Sequence, residues 1–179
     1  MKHLTLLRHA KSGWDDPVSR DFDRPLNPRG RKAARTVGAE MKAQGLAFDL
    51  VLASPARRVV ETLGEVSAGY GSLGPQFDQR LYLASSGILM EIVRATPDSV
   101  ERLLLVGHNP GLEELALGLS RRDEGGLRGE VEVKYPTGTV AELALPAGRW
   151  AEVLQGSGKL VRFIRPRDLD PELGPDEDS

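Results

Sequence analysis

A doubly wound α/β domain is the fold this sequence predicts, with three layers in the order α/β/α, a mostly parallel sheet and antiparallel strands at the sheet edge. Three observations lead there. The short apolar runs Leu4–Leu7, Asp49–Ser54 and Arg102–Val106 have the length and composition of strands covered on both faces. Segments of helical period separate them, the alternation that produces right-handed crossovers and parallel strands. From Gly138 onward the runs alternate polar and apolar around Pro146-Ala147-Gly148, which predicts an antiparallel hairpin.

The first strand stops abruptly at Arg8-His9, and a charged, proline-punctuated loop follows from Gly13 to Pro25. Asn27-Pro28 then opens a helix, with Asn27 as its cap and proline at its first position. Ala33, Ala34, Val37 and Met41 share one face of that helix, and Gly45 ends it. After the second strand, Ser54-Pro55 repeats the cap-plus-proline signal and predicts a helix to about Val66. The glycine-rich stretch Gly69–Pro75 reads as a linker, Gln76–Tyr82 as a weak strand, and Ser86 as the cap of a helix from Ile88 to Ala95, stopped before Pro97. The fourth strand, Arg102–Val106, runs into Gly107-His108-Asn109-Pro110, which opens a helix to about Leu119. Arg121–Glu130 reads as a mobile charged loop. Gly138–Leu145 and Arg149–Leu154 are the expected hairpin arms, with Lys159–Ile164 as a last strand. A domain over 1–167 and an acidic, proline-bearing tail over 168–179 without fixed structure complete the expectation.

The 179 residues suffice for one domain with its own core, and 40% hydrophobic with 28% charged residues is ordinary globular composition. A net charge of -2 gives no support to nucleic-acid binding, which calls for a basic surplus. No cysteine is present, so disulfides, thiol nucleophiles and thiolate metal sites are excluded, and a reducing, cytoplasmic setting is the expectation. No apolar run approaches the ~20 residues of a membrane span, and the first strand begins too early for a signal peptide, so no membrane association is expected. The oligomeric state is not legible.

Function is suggested by where three strands end. Their carboxyl ends carry Arg8-His9, Ser54-Pro55-Ala56-Arg57 and Gly107-His108, and in a parallel sheet those ends converge on one crevice. The crevice gathers two of the three histidines, a pair of arginines and the N-termini of two helices, which makes an anion site. Taken singly, Arg57 reads as a solvated helix residue and His108 as a turn histidine; their coincidence after three separate apolar strands argues otherwise. Arg58 reads as solvated, and His3 as a structural or surface residue. No carboxylate cluster suggests a metal site, and no cofactor is expected.

The segments Leu-Leu-Arg8-His9-Ala10, Ser54-Pro-Ala-Arg57-Arg-Val-Val-Glu61-Thr62 and Val-Gly107-His108-Asn109 resemble the signatures of the histidine phosphatase superfamily, also called phosphoglycerate-mutase-like. Arg8-His9-Ala-Lys-Ser12, Arg24-Pro-Leu-Asn-Pro-Arg-Gly30 and Phe163-Ile-Arg-Pro-Arg167 are similar more narrowly to its small phosphohistidine phosphatase branch of the SixA type. The likeness runs to about Leu169 and implies the same three-layer fold. It implies that His9 is the nucleophile, carrying a covalent phosphohistidine, and that Arg8, Arg57 and His108 cradle the phosphoryl oxygens without a metal. Lys11, Ser12, Arg24 and Asn109 are expected at the rim as weaker phosphate or substrate contacts, with Thr137-Gly138 approaching it. Many members carry a glutamate after the third strand as general acid; Arg80–Ser86 has none here, which leaves Asp15, Asp16 and Asp21 as substitutes. The resemblance implies a phosphatase acting on phosphohistidine in a partner protein, in signal transduction. The alternatives are a small-molecule phosphomonoesterase, a phosphoglycerate-mutase-like enzyme, and a phosphate-binding module without turnover.

Overall fold

The computed structural model describes residues 1–13, 20–122 and 126–174. Its strands are β1 (Lys2–Arg8), β2 (Leu50–Ala53), β3 (Gln76–Phe77), β4 (Arg102–Gly107), β5 (Val140–Leu145) and β6 (Lys159–Ile164), in the spatial order β3-β2-β4-β1-β5-β6. The first four are mutually parallel; β5 runs antiparallel to β1, and β6 antiparallel to β5. The single domain is therefore α/β with a mostly parallel sheet, as expected.

Side chains alternate across the two faces of the sheet, as its pleat requires. Leu4, Leu6, Leu103 and Leu105 enter one core with Leu89, Ile92, Leu112, Leu115 and Trp150. Leu7, Leu104 and Val106 enter the other with Val37, Met41, Val59, Leu63 and Val66. The helices α1 (Pro28–Ala43) and α2 (Arg57–Tyr70) cover the second face, while α3 (Ser86–Arg94) and α4 (Gly111–Leu119) cover the first. Each fully buried leucine contributes roughly 1.5–3 kcal/mol, so the doubly covered strands β1 and β4 anchor the domain.

Three expectations are corrected. The partner of β5 is β6, not Arg149–Leu154. Trp150 is fully buried, its indole N–H donates to the Val100 carbonyl at 2.7 Å and its backbone N–H to Asp98, so this segment turns inward as a 3₁₀ turn over Trp150–Glu152. The charged loop is shorter than expected, because Arg128–Val133 forms a helix, α5, seated by buried Val131. The structureless tail does not begin at Asp168: Pro166–Leu169 forms α6 and Pro171–Leu173 a 3₁₀ turn. Buried Leu173 and the ion pairs of Lys32 with Asp170 and Glu172 hold that segment to α1.

The start of α1 fits closely against the chain leaving β1. Asn27 caps the helix by accepting from the Gly30 N–H, and donates its own N–H to the Lys11 carbonyl. A Cβ on Gly30 would lie 2.1 Å from the Lys11 carbonyl oxygen, a backbone atom that cannot yield cheaply. Gly30→Ala should therefore cost about 1–3 kcal/mol, the scale of overpacking a tight contact. Gly64→Ala in α2, where a Cβ meets nothing within 4 Å, should instead raise stability, by up to about 1 kcal/mol. Denaturant midpoints of the two variants check the contrast.

Candidate active site

The ends of β1, β2 and β4 are tied to one another by backbone hydrogen bonds. The N–H of His9 donates to the Gly107 carbonyl at 3.0 Å and that of Ser54 to the Val106 carbonyl at 3.0 Å. On the other side of β1, the N–H of Arg8 donates to Thr139, and the N–H of Gly138 returns to the carbonyls of Arg8 and His9. Gly138 holds φ at +73°, a left-handed turn suited to glycine. Arg8, His9, Ser54 and His108 thus start from fixed backbone positions, and all four are buried.

The His9 ring is 6% exposed, and its Nδ1 lies 2.7 Å from the carbonyl oxygen of Ala10. A carbonyl only accepts, so Nδ1 carries the proton and Nε2 keeps its lone pair. Burial, together with the charges of Arg8 and Arg58 and the neighbouring His108, outweighs the Ala10 hydrogen bond and holds the ring well below its ordinary pKa. His9 is neutral at physiological pH. The peptide that orients it is itself held, since the Ala10 N–H donates to Thr62 Oγ1 on α2 at 2.9 Å.

His108 has the opposite tautomer. Its Nδ1 lies 3.2 Å from Arg58 Nη2, and a guanidinium only donates, so Nδ1 is the acceptor. Nε2 therefore carries the proton and donates to Ser54 Oγ at 2.8 Å. Burial first, then Arg58, lowers this ring's pKa to about 3. The two rings stand 5.3 Å apart between centroids, tilted by 56°.

Arg58 is the arginine that hydrogen-bonds the His108 ring. It is 2% exposed; its Nη1 donates to the backbone carbonyl of Asp21 and its Nη2 to Asp21 Oδ2, both at 2.9 Å. Tyr82 donates its hydroxyl to the same carboxylate oxygen at 2.7 Å, and Arg24 Nη2 donates to Oδ1 at 3.1 Å. Burial alone would raise the Asp21 carboxyl; the hydrogen bond from Tyr82 and the charge and N–H of Arg58, with Arg24, outweigh it and hold the group below the usual carboxylate range. Tyr82 also meets the His108 ring edge-on at 5.4 Å.

The expected pocket role of Arg57 is corrected. Its side chain is half-exposed and its Nε donates to Glu61 Oε2, one turn along the outer face of α2. The helix begins at Arg57, so Arg58 lies on the inward stripe with Thr62 and Val66, and Arg57 with Glu61 does not. The spacing of Arg58, Thr62 and Val66 is the sequence signal that could have identified Arg58. Asp21, Tyr82 and Ser54 lacked any such signal for the contacts they make.

Asn109 stands beside Arg8: both donate to the Tyr135 carbonyl, at 3.1 and 2.9 Å, and both line one cleft with Glu113 and Lys134. Arg24 reaches Asp21, the partner of Arg58, and donates to the Ser12 hydroxyl, so these two residues join the histidine pair through Asp21 and Arg58. Lys11 lines a groove with Thr137, Pro166 and Arg167, a lining that includes neither histidine. Asp15 and Asp16 lie outside the described residues. Among the described residues, no group of three or more His, Cys, Asp or Glu could hold a metal ion, and no helix is long and apolar enough to cross a membrane.

The sequence profile of the histidine phosphatase superfamily (branch 1) matches residues 4–91. An uncharacterised protein of Mycobacterium tuberculosis is 36% identical over 163 residues, covering 90% of this chain and 100% of its own. The solved structure of the putative phosphohistidine phosphatase SixA from Nakamurella multipartitia superposes with a TM-score of 0.79 at 28% identity, covering 92% of this chain and 96% of that one. The putative phosphohistidine phosphatase SixA from Agrobacterium tumefaciens gives 0.74 at 26%, covering 92% and 98%.

Two buried neutral histidines make stability depend on pH in a stated direction. Between their ordinary pKa of 6.5 and the lowered value, about 3 for His108, the unfolded chain binds protons that the folded chain refuses. Stability should rise with pH through that window, by up to about 1.4 kcal/mol per unit for each such ring. Lowered carboxyls such as Asp21 act with the same sign at lower pH, so His108→Gln isolates one ring. Chemical denaturation across the window should show a shallower slope in that variant; equal slopes would mean that the folded ring is charged.

Proposed function

The chain belongs to the histidine phosphatase superfamily, in its SixA-type branch, and from that premise we propose that it removes phosphoryl groups from phosphohistidine in a partner protein through a covalent intermediate on His9. The observation that carries the proposal is the tautomer of His9, whose Nδ1–H is committed to Ala10 while the Nε2 lone pair is kept by a lowered pKa. A neutral imidazole with a fixed free nitrogen is a nucleophile for phosphorus.

Nε2 attacks phosphorus in line as the bond to the leaving nitrogen breaks, and the leaving ring takes a proton from water. Arg8 and Arg58 hold equatorial oxygens through their planar guanidinium groups, and His108 stands beside them. Water then attacks the phosphohistidine, inorganic phosphate leaves, and the Nε2 lone pair returns. The buried guanidinium groups supply the positive charge that metal ions supply in kinases, so this mechanism needs no metal.

The described residues nearest the histidines support this reading of the substrate class. The region Arg80–Ser86 brings Tyr82 to the site and no carboxylic acid. Asp21 is unsuited as a general acid, because its oxygens accept from Arg58, Arg24 and Tyr82 and its pKa is lowered. An alkoxide needs a proton to depart, since water has a pKa of roughly 15.7. An imidazole, with a conjugate-acid pKa of ~6.5, departs readily. The relatives named putative phosphohistidine phosphatases agree with that choice.

Rapid quenching with labelled phosphohistidine protein under non-acidic conditions should trap phosphate on His9, and His9→Asn should leave neither label nor turnover. Arg58→Ala should lower kcat/KM by about 10²–10³, the cost of a preorganised donor, while Arg57→Ala stays within a few fold. Label on a serine, or the reverse order of the two arginines, contradicts the mechanism. For substrate class, kcat/KM should rank phosphohistidine protein above an aryl phosphate and the aryl phosphate above a sugar phosphate. A sugar phosphate that wins would overturn the assignment while leaving the covalent mechanism standing.

A further inference from the structure

The peptide that joins His9 to Ala10 is gripped at both of its polar ends. Its carbonyl, that of His9, accepts from the Gly138 N–H at 2.9 Å, and its N–H, that of Ala10, donates to Thr62 Oγ1 at 2.9 Å. Ala10 and Thr62 are both fully buried, so bulk water reaches neither. Among the described residues, Thr62 is the only acceptor of the Ala10 N–H. The Ala10 carbonyl, which belongs to the next peptide, is the partner of His9 Nδ1 at 2.7 Å. The plane of the first peptide therefore sets where that carbonyl stands, and with it the direction in which the ring aims Nε2.

The Thr62 hydroxyl has one possible polarity. An amide N–H only donates, so the oxygen accepts from Ala10 and gives its own hydrogen to the Arg58 carbonyl, 2.6 Å away, which only accepts. A threonine bonded to the carbonyl four residues back is by itself a structural habit of helices. Here the second contact leaves α2 and reaches the residue after the nucleophile. Loss of the hydroxyl would fall unequally on its two partners. The Arg58 carbonyl keeps the intrahelical bond that its place inside α2 provides, and the Arg58 guanidinium keeps Asp21. The Ala10 N–H keeps no acceptor, and an unsatisfied buried donor is costly enough to turn its peptide.

We propose that Thr62 is a positioning residue for the nucleophile: its hydroxyl fixes the plane of the His9–Ala10 peptide, and through it the line along which His9 Nε2 meets phosphorus. The proposal rests on reading His9 as the nucleophile. Thr62 acts through the backbone, since its hydroxyl is spent on Ala10 and Arg58 and reaches neither histidine ring. In-line attack depends on the direction of one lone pair, so a small rotation of the ring slows transfer steeply. Holding the anion depends on Arg8 and Arg58, whose guanidinium groups are anchored elsewhere, on the Tyr135 carbonyl and on Asp21. Thr62 therefore serves the transfer step and not the binding of the phosphoryl group, a division that a merely structural threonine would not produce.

Two substitutions separate the hydroxyl from the packing of the side chain. Thr62→Val keeps the shape and removes the hydroxyl, and Thr62→Ser keeps the hydroxyl and removes the methyl group. Labelled phosphoramidate, a small phosphoryl donor with a P–N bond, is used in single-turnover quenching, and tungstate in titration calorimetry. In Thr62→Val, transfer of label onto His9 should slow by about ten- to a hundredfold while the tungstate dissociation constant stays that of the unaltered protein. Thr62→Ser should restore the transfer rate. Full-rate transfer in Thr62→Val, tungstate binding that weakens in step with transfer, or a Thr62→Ser variant as slow as Thr62→Val overturns the proposal and leaves His9 standing as the nucleophile. Should Thr62→Val fail to fold, Thr62→Ala, which also lacks the hydroxyl, takes its place with the same outcomes deciding. No label on His9 in the unaltered protein overturns the reading on which the proposal rests.

Discussion

The buried guanidinium of Arg58 is the constraint on which the rest of the site depends. A charge that is 2% exposed must be paired and hydrogen-bonded or it costs several kcal/mol. Asp21 meets that requirement with a carboxylate and a carbonyl, which fixes the 3₁₀ turn Asp21–Asp23 over α2 and brings Tyr82 and Arg24 into the same network. Arg58 then sets the tautomer of His108 by donating to Nδ1. Its own carbonyl accepts from Thr62 Oγ1, whose oxygen takes the Ala10 N–H beside His9. One residue therefore reaches both histidines, one through its side chain and the other through its backbone.

The sheet order makes this possible. Placing β4 between β1 and β2 sets Gly107 opposite Arg8 and Val106 opposite Ala53, so three parallel strands deliver their last residues within one hydrogen-bonded ladder. The antiparallel β5 closes the other side of β1, and the turn before it, at Gly138, clamps the carbonyls of Arg8 and His9. The leucines of β1 and β4, fully buried on both faces, hold these strand ends rigid, as a site built on short distances requires. The geometry is a property of the core as much as of the polar residues.

Much of this was legible in the sequence because strand ends in parallel sheets converge whatever the loops do. Arg8, His9 and His108 follow apolar runs directly, and all three stand at the ends of the paired strands β1 and β4. Arg57 faces outward because Ser54-Pro55 signals a helix start two residues before the helix begins, and that offset decides which of Arg57 and Arg58 lies on the inward stripe. Ser54 consequently serves His108 as well as the helix start. The second hairpin arm failed for a different reason: alternation around Trp150 looks like a strand, but a buried indole with its own acceptor outweighs it. The ordered segment after Asp168 was hidden because its composition is polar, and only the packing of Leu173 and the pairing of Lys32 reveal why it stays.

The central claim is that two neighbouring histidines are both neutral and carry their protons on opposite nitrogens, so that one presents a free Nε2 and the other a free Nδ1. Long-range ¹H–¹⁵N correlation spectra of the histidine rings at neutral pH test it most directly. The account predicts an Nδ1–H tautomer for His9 and an Nε2–H tautomer for His108. An imidazolium at either ring, or an Nε2–H tautomer at His9, would contradict it.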